Sequence, residues 1–594
     1  MSIHAPDAVS KRDLCFRRNE TGDAGIPARS VIADKNARAP GKRPNGGVAT
    51  KLTFIWKRHD SGHPPHAVLP CILAALALLA AGCSSVRDHY YKPVSRALPA
   101  PAGTPGALRI QEKAAAHPDG ESGFRLLALS ADALAARITL ADAAARSIDV
   151  QYFSFHDDAT GNLVASRLLA AADRGVRVRV LIDGTGTIGR DGDLLALDAH
   201  PNLEVRIFNP FKNRSSNTVS LATQFFIDGR RLNRRMHNKS FIVDNQIAII
   251  GGRNIGDEYF DARQDMNYRD LDVITIGPVV APMSETFDTF WNSDYAYPIT
   301  AFHSRPPRPD AIARRRAAIE AGSFALSSAA DIDTLLGDGP LTPRPLRANP
   351  TAVQPRWHWG SARLIADDPL KANPDSPKKG PRLGEILDEM LPGTTDELII
   401  ISPYFVPQKQ GVALLAGIEQ RGAQVKVLTN SLASTDNLIV HTGYARYRRR
   451  LLEAGVELYE LRPIPAAKNK TLFRGKRSRG ISLHAKAIVI DRRMTFIGSM
   501  NIDPRAALLN TEIGVLVDSP SLATAVAQFF KEASEPDSSF RPHLLPPNDK
   551  GQRPLCWTGE SDGREIKTYV EPRASLWRRI SAKVLRIFPI EGLL

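Results

Sequence analysis

Two short stretches of this 594-residue chain carry the same set of reactive side chains. One reads Met-His-Asn-Lys-Ser-Phe-Ile-Val-Asp over 236–244, and the other reads Leu-His-Ala-Lys-Ala-Ile-Val-Ile-Asp over 483–491. Each stretch is followed by two small residues and then an asparagine, at 251–254 and at 498–501. Each copy therefore matches the pattern H-x-K-x4-D-x6-G-[GS]-x-N. On a strand, residues two apart share a face, so we expect each histidine and its lysine to point the same way.

These residue types suit the cleavage of a phosphodiester. Lys239 and Lys486 can neutralise the phosphate charge as it redistributes in the transition state. One imidazole, of His237 or His484, can attack phosphorus and form a covalent intermediate, which divides one difficult displacement into two. The other can protonate the departing alcohol and then deprotonate the acceptor. Because the sequence has no P-loop, zinc-ligand spacing or dinucleotide fingerprint, we expect neither a metal nor a cofactor.

The elements that must position these motifs are repeated as well. In each half, a β-branched run is followed by an Ala- and Leu-rich helical pattern that ends in glycine, and then by a second β-branched run. These segments are 148–155, 163–175 and 176–183 in the first half, and 398–406, 411–422 and 423–431 in the second. Alternating strands and helices predict an α/β sandwich with mixed, largely parallel sheets. The duplication predicts two pseudo-symmetric halves that share one active site.

The doubled motif resembles the signature of the phospholipase D superfamily, and the resemblance covers most of residues 123–545. It implies a duplicated α-β-α sandwich in which one motif histidine is the nucleophile and the other is the general acid/base. Analogy with the family favours His237 as the nucleophile and leaves His484 as the acid/base. The resemblance also implies that the lysines, together with Asn254, Asn501 and Ser499, bind the substrate phosphate.

Four acidic residues receive supporting roles from the same resemblance. Asp244 and Asp491 belong to the motifs themselves, and such aspartates usually buttress the fold. Glu512, and Asp270 as its counterpart, match acids that orient a histidine in relatives. The chain departs from the family pattern at Gly252, where serine is usual and where the second half has Ser499, so the two halves need not be equivalent.

Several longer segments are similar to those of bacterial cardiolipin synthases of the C type: 231–244, 251–260, 429–434, 441–461 and 503–514. This similarity implies a phosphatidyltransferase that joins two phospholipids, with phosphatidylglycerol as the acceptor and phosphatidylethanolamine as the donor. A hydrolytic phospholipase D, which uses water as the acceptor, is the main alternative. A nuclease of the same superfamily is a weaker one, since the membrane features described next are not what it needs, and we expect no nucleic acid as a partner.

The N-terminal region indicates a protein of the bacterial cell envelope. Lys51, Lys57 and Arg58 precede a short apolar run over 67–81, and Ala-Ala-Gly then leads into Cys83. This arrangement is typical of a secretory signal, and it resembles a lipobox with Cys83 as the lipidated residue. We therefore expect a lipid anchor on the outer, periplasmic side of a membrane. The net charge of +15 fits an anionic surface but does not choose among anionic partners.

Composition and motif positions divide the chain into seven predicted parts. These are a disordered or mis-assigned start (1–50), the signal segment (51–83), a tether (84–122), the first half (123–302), a linker (303–357), the second half (358–545) and a basic amphipathic tail (546–594). In the tail, residues 575–594 place apolar residues at helical spacing among arginines and lysines, which suits a membrane interface or a packing helix. Segment 211–235, just before His237, is a candidate lid.

Overall fold

A computed structural model describes residues 89–588, except 215, 304, 324–329, 343–355, 377–388, 464–479 and 562. The predicted disordered start, the signal segment and Cys83 lie outside the described residues. No helix among the described residues has the length and apolar character needed to cross a bilayer.

The first half and the segment before it contain nine of the described strands and six of the described helices. The strands are β1 (Glu121–Leu127), β2 (Ser147–Tyr152), β3 (Arg177–Asp183), β4 (Leu203–Phe208), β5 (Ser240–Val243), β6 (Ile247–Gly251), β7 (Met266–Arg269), β8 (Asp272–Ile276) and β9 (Ala296–Pro298). The helices are α1 (Pro105–Ala115), α2 (Ser130–Ala143), α3 (Ala159–Asp173), α4 (Asp191–Asp198), α5 (Thr218–Leu232) and α6 (Val280–Asn292). Two more helices, α7 (Ala311–Gly322) and α8 (Ile332–Leu336), follow in the predicted linker.

The second half repeats this order and then extends it. Its strands are β10 (Trp357–Ala366), β11 (Glu397–Ile401), β12 (Gln424–Asn430), β13 (Glu457–Leu461), β14 (Gly480–Leu483), β15 (Ala487–Ile490), β16 (Met494–Gly498), β17 (Ile513–Asp518), β18 (Ser539–Leu544), β19 (Leu555–Ser561) and β20 (Arg564–Thr568). Its helices are α9 (Gln408–Gln420), α10 (Leu438–Glu453), α11 (Pro504–Leu508), α12 (Pro520–Ser534) and α13 (Leu576–Leu585).

Within the described residues, one hydrogen-bonded strand order runs through both halves. Six strands of each half follow matching orders, β4-β3-β2-β5-β6-β8 and β13-β12-β11-β15-β16-β17. β1 pairs with β8 and β10 pairs with β17, and an antiparallel β1–β10 pair joins the two series. The duplication expected from the sequence is therefore present, and the two halves are built into one continuous structure.

The expectation of largely parallel sheets is wrong. The sheet is parallel only along β2-β3-β4 and β11-β12-β13, which are the strands separated by helices. The remaining pairs of the large sheet are antiparallel, and two of them, β5–β6 and β15–β16, are tight hairpins formed by the motif strands. Asp244 and Asn245, like Asp491 and Arg492, have positive φ between the paired strands. Successive residues with positive φ are typical of type I′ hairpin turns, whose twist matches that of the strands.

Helices cover both faces of each half, which gives the α-β-α layering. Helices α2 and α3 contribute to a core on one face of the first sheet, and α9 and α10 contribute to a core on one face of the second. A third core contains residues of α6, α12 and strands of both halves. The halves thus share an apolar interior in addition to the strand pair that joins them.

The segments outside the two halves also carry structure. The predicted tether contains α1, and the backbone N–H groups of Ser95 and Ala97 donate to Asn292 and Asp288 of the first half. In the predicted tail, β19 pairs with β18 and with β20. The seven-part division itself stays a prediction.

Candidate active site

His237 is held by a carboxylate from the other half of the chain. Its Nδ1 lies 3.0 and 2.9 Å from the two carboxylate oxygens of Glu512, which has no exposed side-chain surface. The backbone sets up this contact, because the N–H of His237 donates to the carbonyl of Thr511 at 2.9 Å. With Nδ1 bound to Glu512, Nε2 is left for the substrate.

His484 has the mirror arrangement. Its Nδ1 lies 2.6 Å from Oδ2 of Asp270, a fully buried carboxylate of the first half. The N–H of His484 donates to the carbonyl of Arg269 at 2.8 Å, where β7 and β14 run parallel across the two halves. Each orienting acid expected from the sequence is therefore present, but it serves the histidine of the opposite half.

Both motif lysines are buried beside their histidines. The Nζ of Lys239 donates to the carbonyl of His237 at 2.7 Å, and the Nζ of Lys486 donates to the carbonyl of His484. Nζ of Lys486 also lies 3.0 Å from Nδ1 of His484. Burial lowers the pKa of Lys239 to about 7 and that of Lys486 to about 8. A bound phosphate would favour the charged form of both lysines.

The site lowers the pKa of both histidines. Burial, followed by the charges of Lys239, Lys486 and His484, holds the pKa of His237 well below its usual value. Burial and Lys486 also lower the pKa of His484, but Asp270 opposes this shift by stabilising the imidazolium. The two imidazoles are therefore not equivalent.

The two orienting acids, Glu512 and Asp270, also differ from each other in pKa. Burial raises the pKa of Glu512 to about 7, against the opposing effects of Lys239 and the Ser499 hydroxyl. Burial would also raise the pKa of Asp270, but His484 and the neighbouring cations outweigh it and lower that pKa. Asp270 is thus the more firmly ionised of the pair.

The small residues that follow each motif lie beside the orienting acids Glu512 and Asp270. The Ser499 hydroxyl donates to Glu512 and accepts the N–H of Ile513 at 3.0 Å, so it supports the acid rather than standing open to a ligand. At Gly252, an added Cβ would lie 2.1 Å from Oδ1 of Asp270. The departure from the family pattern at this position therefore has a steric reason, since no side chain fits beside Asp270.

The predicted phosphate-binding asparagines lie in the same region. Oδ1 of Asn254 accepts the N–H of Ser154 at 3.2 Å, and its Nδ2 donates to the hydroxyl of Tyr259 at 2.8 Å. Oδ1 of Asn501 is buried and has no hydrogen-bond partner among the described residues. Asn501 therefore keeps an acceptor that could meet a ligand, whereas both amide atoms of Asn254 are already paired.

The motif aspartates lie away from the chemistry. Asp244 accepts the backbone N–H groups of residues 145–147, and Asp491 accepts those of residues 395–397. Each carboxylate thereby ties a motif hairpin to the start of the neighbouring strand. Both residues buttress the fold, as the resemblance implies.

Two positioning residues were missed at the sequence level. Asp183 ends β3 and accepts the N–H of Met236 at 2.9 Å, and Asn430 ends β12 and accepts the N–H of Leu483 at 2.8 Å. These two hydrogen bonds fix the backbone of Met236 and Leu483, the residues that precede the motif histidines. Both stand at the carboxyl ends of corresponding parallel strands, and that matching position in the two halves is the signal that could have identified them.

Comparison with known proteins places this geometry in a family. A family model described as "Cardiolipin synthase, PLD-like domain" matches residues 137–291 and 387–533, one match in each half. The chain belongs to this family. It is 39% identical to cardiolipin synthase C of Escherichia coli K12 over 489 residues, which cover 80% of this chain and 97% of that protein.

The chain is also similar to an uncharacterized relative and to a solved structure. An uncharacterized protein of Helicobacter pylori J99 is 32% identical, over 77% of this chain and 87% of that protein. Among solved structures, phosphatidylserine synthase of Haemophilus influenzae aligns with a TM-score of 0.48 and 16% identity, over 79% of this chain and 94% of that one. The family match and the relatedness to cardiolipin synthase C identify the chain as a phospholipase D-type phosphatidyltransferase.

Proposed function

We propose that the enzyme transfers a phosphatidyl group from a donor phospholipid, through a phosphohistidine, to a hydroxyl of phosphatidylglycerol. The observation that carries this proposal is the crossed pair of histidines. Each imidazole is held at Nδ1 by a buried acid of the other half, so both can present Nε2 to one phosphodiester. Two such imidazoles can act as a nucleophile and as an acid/base in the same site.

In the first step, Nε2 of His237 attacks phosphorus, and the bond from phosphorus to the headgroup oxygen breaks. The proton on Nε2 of His484 passes to that oxygen, so the headgroup leaves as an alcohol and not as an alkoxide. In the second step, a hydroxyl oxygen of phosphatidylglycerol attacks phosphorus, the N–P bond breaks, and His484 recovers the proton. His484 is cycled between acid and base, and His237 is restored.

The unequal surroundings of the two histidines support this division of roles. The nucleophile must be a neutral imidazole, and the pKa of His237 is lowered well below its usual value by burial and by surrounding cations. The acid must carry a proton. Burial and Lys486 lower the pKa of His484 as well, but the carboxylate of Asp270 opposes that shift, so the surroundings of His484 favour a proton more than those of His237 do. A difference of this kind between two titratable groups commonly marks the acid and the base of a site.

The proposal is tested with a donor phospholipid labelled on its phosphate. Wild-type enzyme quenched in acid-free denaturant should carry the label on His237, and His484→Ala should slow both labelling and release. His237→Ala should carry no label, and His543→Ala on the exposed strand β18 serves as the matched control. Label on His484, or near-normal transfer by either active-site variant, would contradict these roles.

The acceptor is tested by the products formed in vesicles of phosphatidylglycerol and phosphatidylethanolamine. We expect cardiolipin to exceed phosphatidic acid when the acceptor lipid is abundant. Phosphatidic acid as the main product at every acceptor concentration would assign a hydrolytic phospholipase D instead.

We also propose that the enzyme works against an anionic lipid surface, which it contacts through α13 and α5. No residue of α13 is buried, and Trp577 and Ile587 are 77% and 81% exposed. Four cations accompany the apolar residues of this segment: Arg578, Arg579, Lys583 and Arg586. Exposed aromatic and aliphatic groups among cations suit the boundary between headgroups and acyl chains.

Both surfaces connect to the active site. Arg578 donates to the carbonyls of Leu432 and Thr435 in the loop after β12. In the first half, α5 exposes 91% of Phe226 and 75% of Ile227, and its C-terminal end leads directly to His237. A surface of this kind would bring lipid headgroups to the histidines without lifting the acyl chains out of the bilayer.

The lipid anchor at Cys83 belongs to the same proposal. Its support is the apolar run over 67–81 that ends before this cysteine. We predict that Cys83→Ala releases the protein from membranes more readily than the exposed-surface variant Leu108→Ser does. Mass spectrometry of the mature N-terminus tests this prediction. An unmodified Cys83 within a longer chain would contradict the proposed lipid anchor.

A further inference from the structure

Two tyrosines pack against the imidazole of His484. The rings of Tyr259 and Tyr268 lie 5.2 and 4.9 Å from the imidazole, and 4.9 Å from each other. Tyr268 lies on β7 of the first half, next to the acid that orients His484. No part of the proposed chemical step uses these two rings.

A carboxylate lies beyond the tyrosines. The hydroxyl of Tyr404 donates to Asp436 at 2.9 Å to one oxygen and 2.7 Å to the other. The hydroxyl of Tyr268 approaches Oδ2 of Asp436 more loosely, at 3.5 Å. Tyr268, Tyr404 and Asp436 are all half-buried, whereas Tyr259 is buried beside them.

Three separate segments converge to build the group. Tyr404 follows β11, Asp436 immediately precedes the capping residue of α10, and Tyr268 comes from the other half of the chain. Aromatic faces attract compact organic cations through their electron-rich centres. A nearby carboxylate adds direct attraction for the same ligand.

We propose that Tyr259, Tyr268, Tyr404 and Asp436 form the subsite for a cationic, ammonium-bearing headgroup of the donor phospholipid, with Asp436 as the residue that determines this preference. This inference rests on the proposed transfer reaction and on His484 as its acid. It assigns particular residues to the recognition of the donor headgroup, which the doubled motif does not.

The position of the subsite fits the reaction. His484 protonates the headgroup oxygen as that oxygen leaves phosphorus, so the departing headgroup lies on the His484 side of the phosphate. In ethanolamine, the ammonium is two carbons from that oxygen, and the headgroup can extend past Tyr259 and Tyr268 toward Asp436. A serine headgroup would bring its own carboxylate to the same place, where Asp436 repels it.

The alternative is that Asp436 changes the electrostatics of the whole active site and does not bind the headgroup. Its charge opposes the effect of burial on the pKa of Lys486, which contacts His484. Such an effect would alter the transfer from every donor equally. A headgroup subsite alters the transfer from cationic donors alone, so a comparison of donors separates the two roles.

The test measures release of the headgroup from vesicles whose donor is phosphatidylethanolamine, phosphatidylglycerol or phosphatidylserine, with one added short-chain alcohol as the common acceptor. We expect Asp436→Asn to lower kcat/KM for phosphatidylethanolamine by about 10- to 100-fold, since a charge-assisted contact is lost. Release from phosphatidylglycerol should change by less than about threefold, because its glycerol carries no charge. Release from phosphatidylserine should rise or stay unchanged.

Two further variants sharpen the result. Tyr404→Phe keeps the ring but loses the hydroxyl that holds Asp436, so we expect a smaller loss confined to phosphatidylethanolamine. Asp549→Asn, in the exposed turn between β18 and β19, is the matched control and should change nothing. Preserved release from phosphatidylglycerol also shows that Asp436→Asn folds.

Equal losses for all donors in Asp436→Asn, or no loss for phosphatidylethanolamine, would overturn the subsite and leave the transfer proposal standing. Wild-type enzyme that releases no headgroup from any donor would overturn both. Donor-specific loss that is restored by Asp436→Glu would support the subsite, since glutamate returns the charge.

Discussion

The two carboxylates that hold the histidines differ in length and in what lies behind them. Glu512 has the Ser499 hydroxyl as a partner, whereas Asp270 lies against the bare backbone of Gly252. The shorter acid comes closer to the backbone, and the missing side chain makes room for it. Gly252 is therefore a fitted part of the site and not a lost phosphate ligand.

We predict that Gly252→Ala reduces transfer by about 100-fold, because the new methyl group must displace Asp270 and with it the ring of His484. Gly192→Ala is the matched control, since nothing lies within 4 Å of a Cβ at that position. Steady-state transfer rates, with circular dichroism to verify folding, provide the measurement. Normal activity of Gly252→Ala would show that Asp270 is not held as described.

The buried lysines give phosphate binding a pH dependence. Their pKa values, lowered by burial to about 7 and about 8, mean that the charged form is lost as pH rises through this range. We predict that affinity for sulfate, an anion whose charge stays constant here, falls as pH increases from about 6 to about 9. Calorimetric titration measures this, with Lys239→Met as the variant that binds weakly throughout. Affinity that holds constant to the upper limit would contradict the shifted pKa values.

At this scale, the sequence was sufficient to name both histidines, both lysines and both orienting acids. It could not tell which acid serves which histidine, because that pairing crosses between halves and depends on tertiary contacts at Thr511 and Arg269. The tyrosines beside His484 were also missed. Tyr268 lies on β7 and Tyr259 lies before that strand, and neither has a repeated spacing in the second half that would have marked it.

At the scale of elements, the clearest sequence signals came from strands separated by helices. The runs at 148–155 and 398–406 correspond to β2 and β11, and the helical patterns after them correspond to α3 and α9. The hairpins that carry the motif aspartates were not predicted. Their turns use non-glycine residues at positive φ, which carry a weaker sequence signal than Asn-Gly or Gly-Gly.

Helix α13 yields the prediction that belongs to this scale. Replacing Trp577 and Ile580 together with serine should reduce binding to vesicles rich in phosphatidylglycerol by at least about tenfold, because two apolar side chains no longer leave water. Leu108→Ser on α1 removes a similarly exposed apolar residue and should have no effect. Vesicle co-sedimentation is the measurement. Unchanged binding of the double variant would assign α13 to another role.

At the scale of the whole molecule, the strand pair β1–β10 makes the two halves mechanically continuous. Phe124 lies on β1 opposite His358 of β10, and it is fully buried in the core that both halves share. A substitution that weakens the packing at this junction should therefore destabilise both halves together.

We predict that the protein unfolds in a single thermal transition. Phe124→Ala should lower the temperature of this transition without splitting it into two. Phe124→Ala should lower the free energy of unfolding by about 3–5 kcal/mol, as for other buried phenylalanines. Tyr569→Ala, at a residue that is 65% exposed, is the control and should leave the transition in place. Differential scanning calorimetry would contradict this prediction if Phe124→Ala produced two transitions with one at the wild-type temperature.

The crossed acids also have a consequence for the order in which the chain is made. A ribosome completes His237 and Lys239 long before it reaches Glu512, so the first half leaves the exit tunnel with the ring of His237 unaligned and without His484. Asp270 at that stage has no histidine to hold. A chain that ends before Glu512 therefore cannot form the two-histidine site, and this site is assembled only after the motif hairpin of the second half and Glu512 have been made.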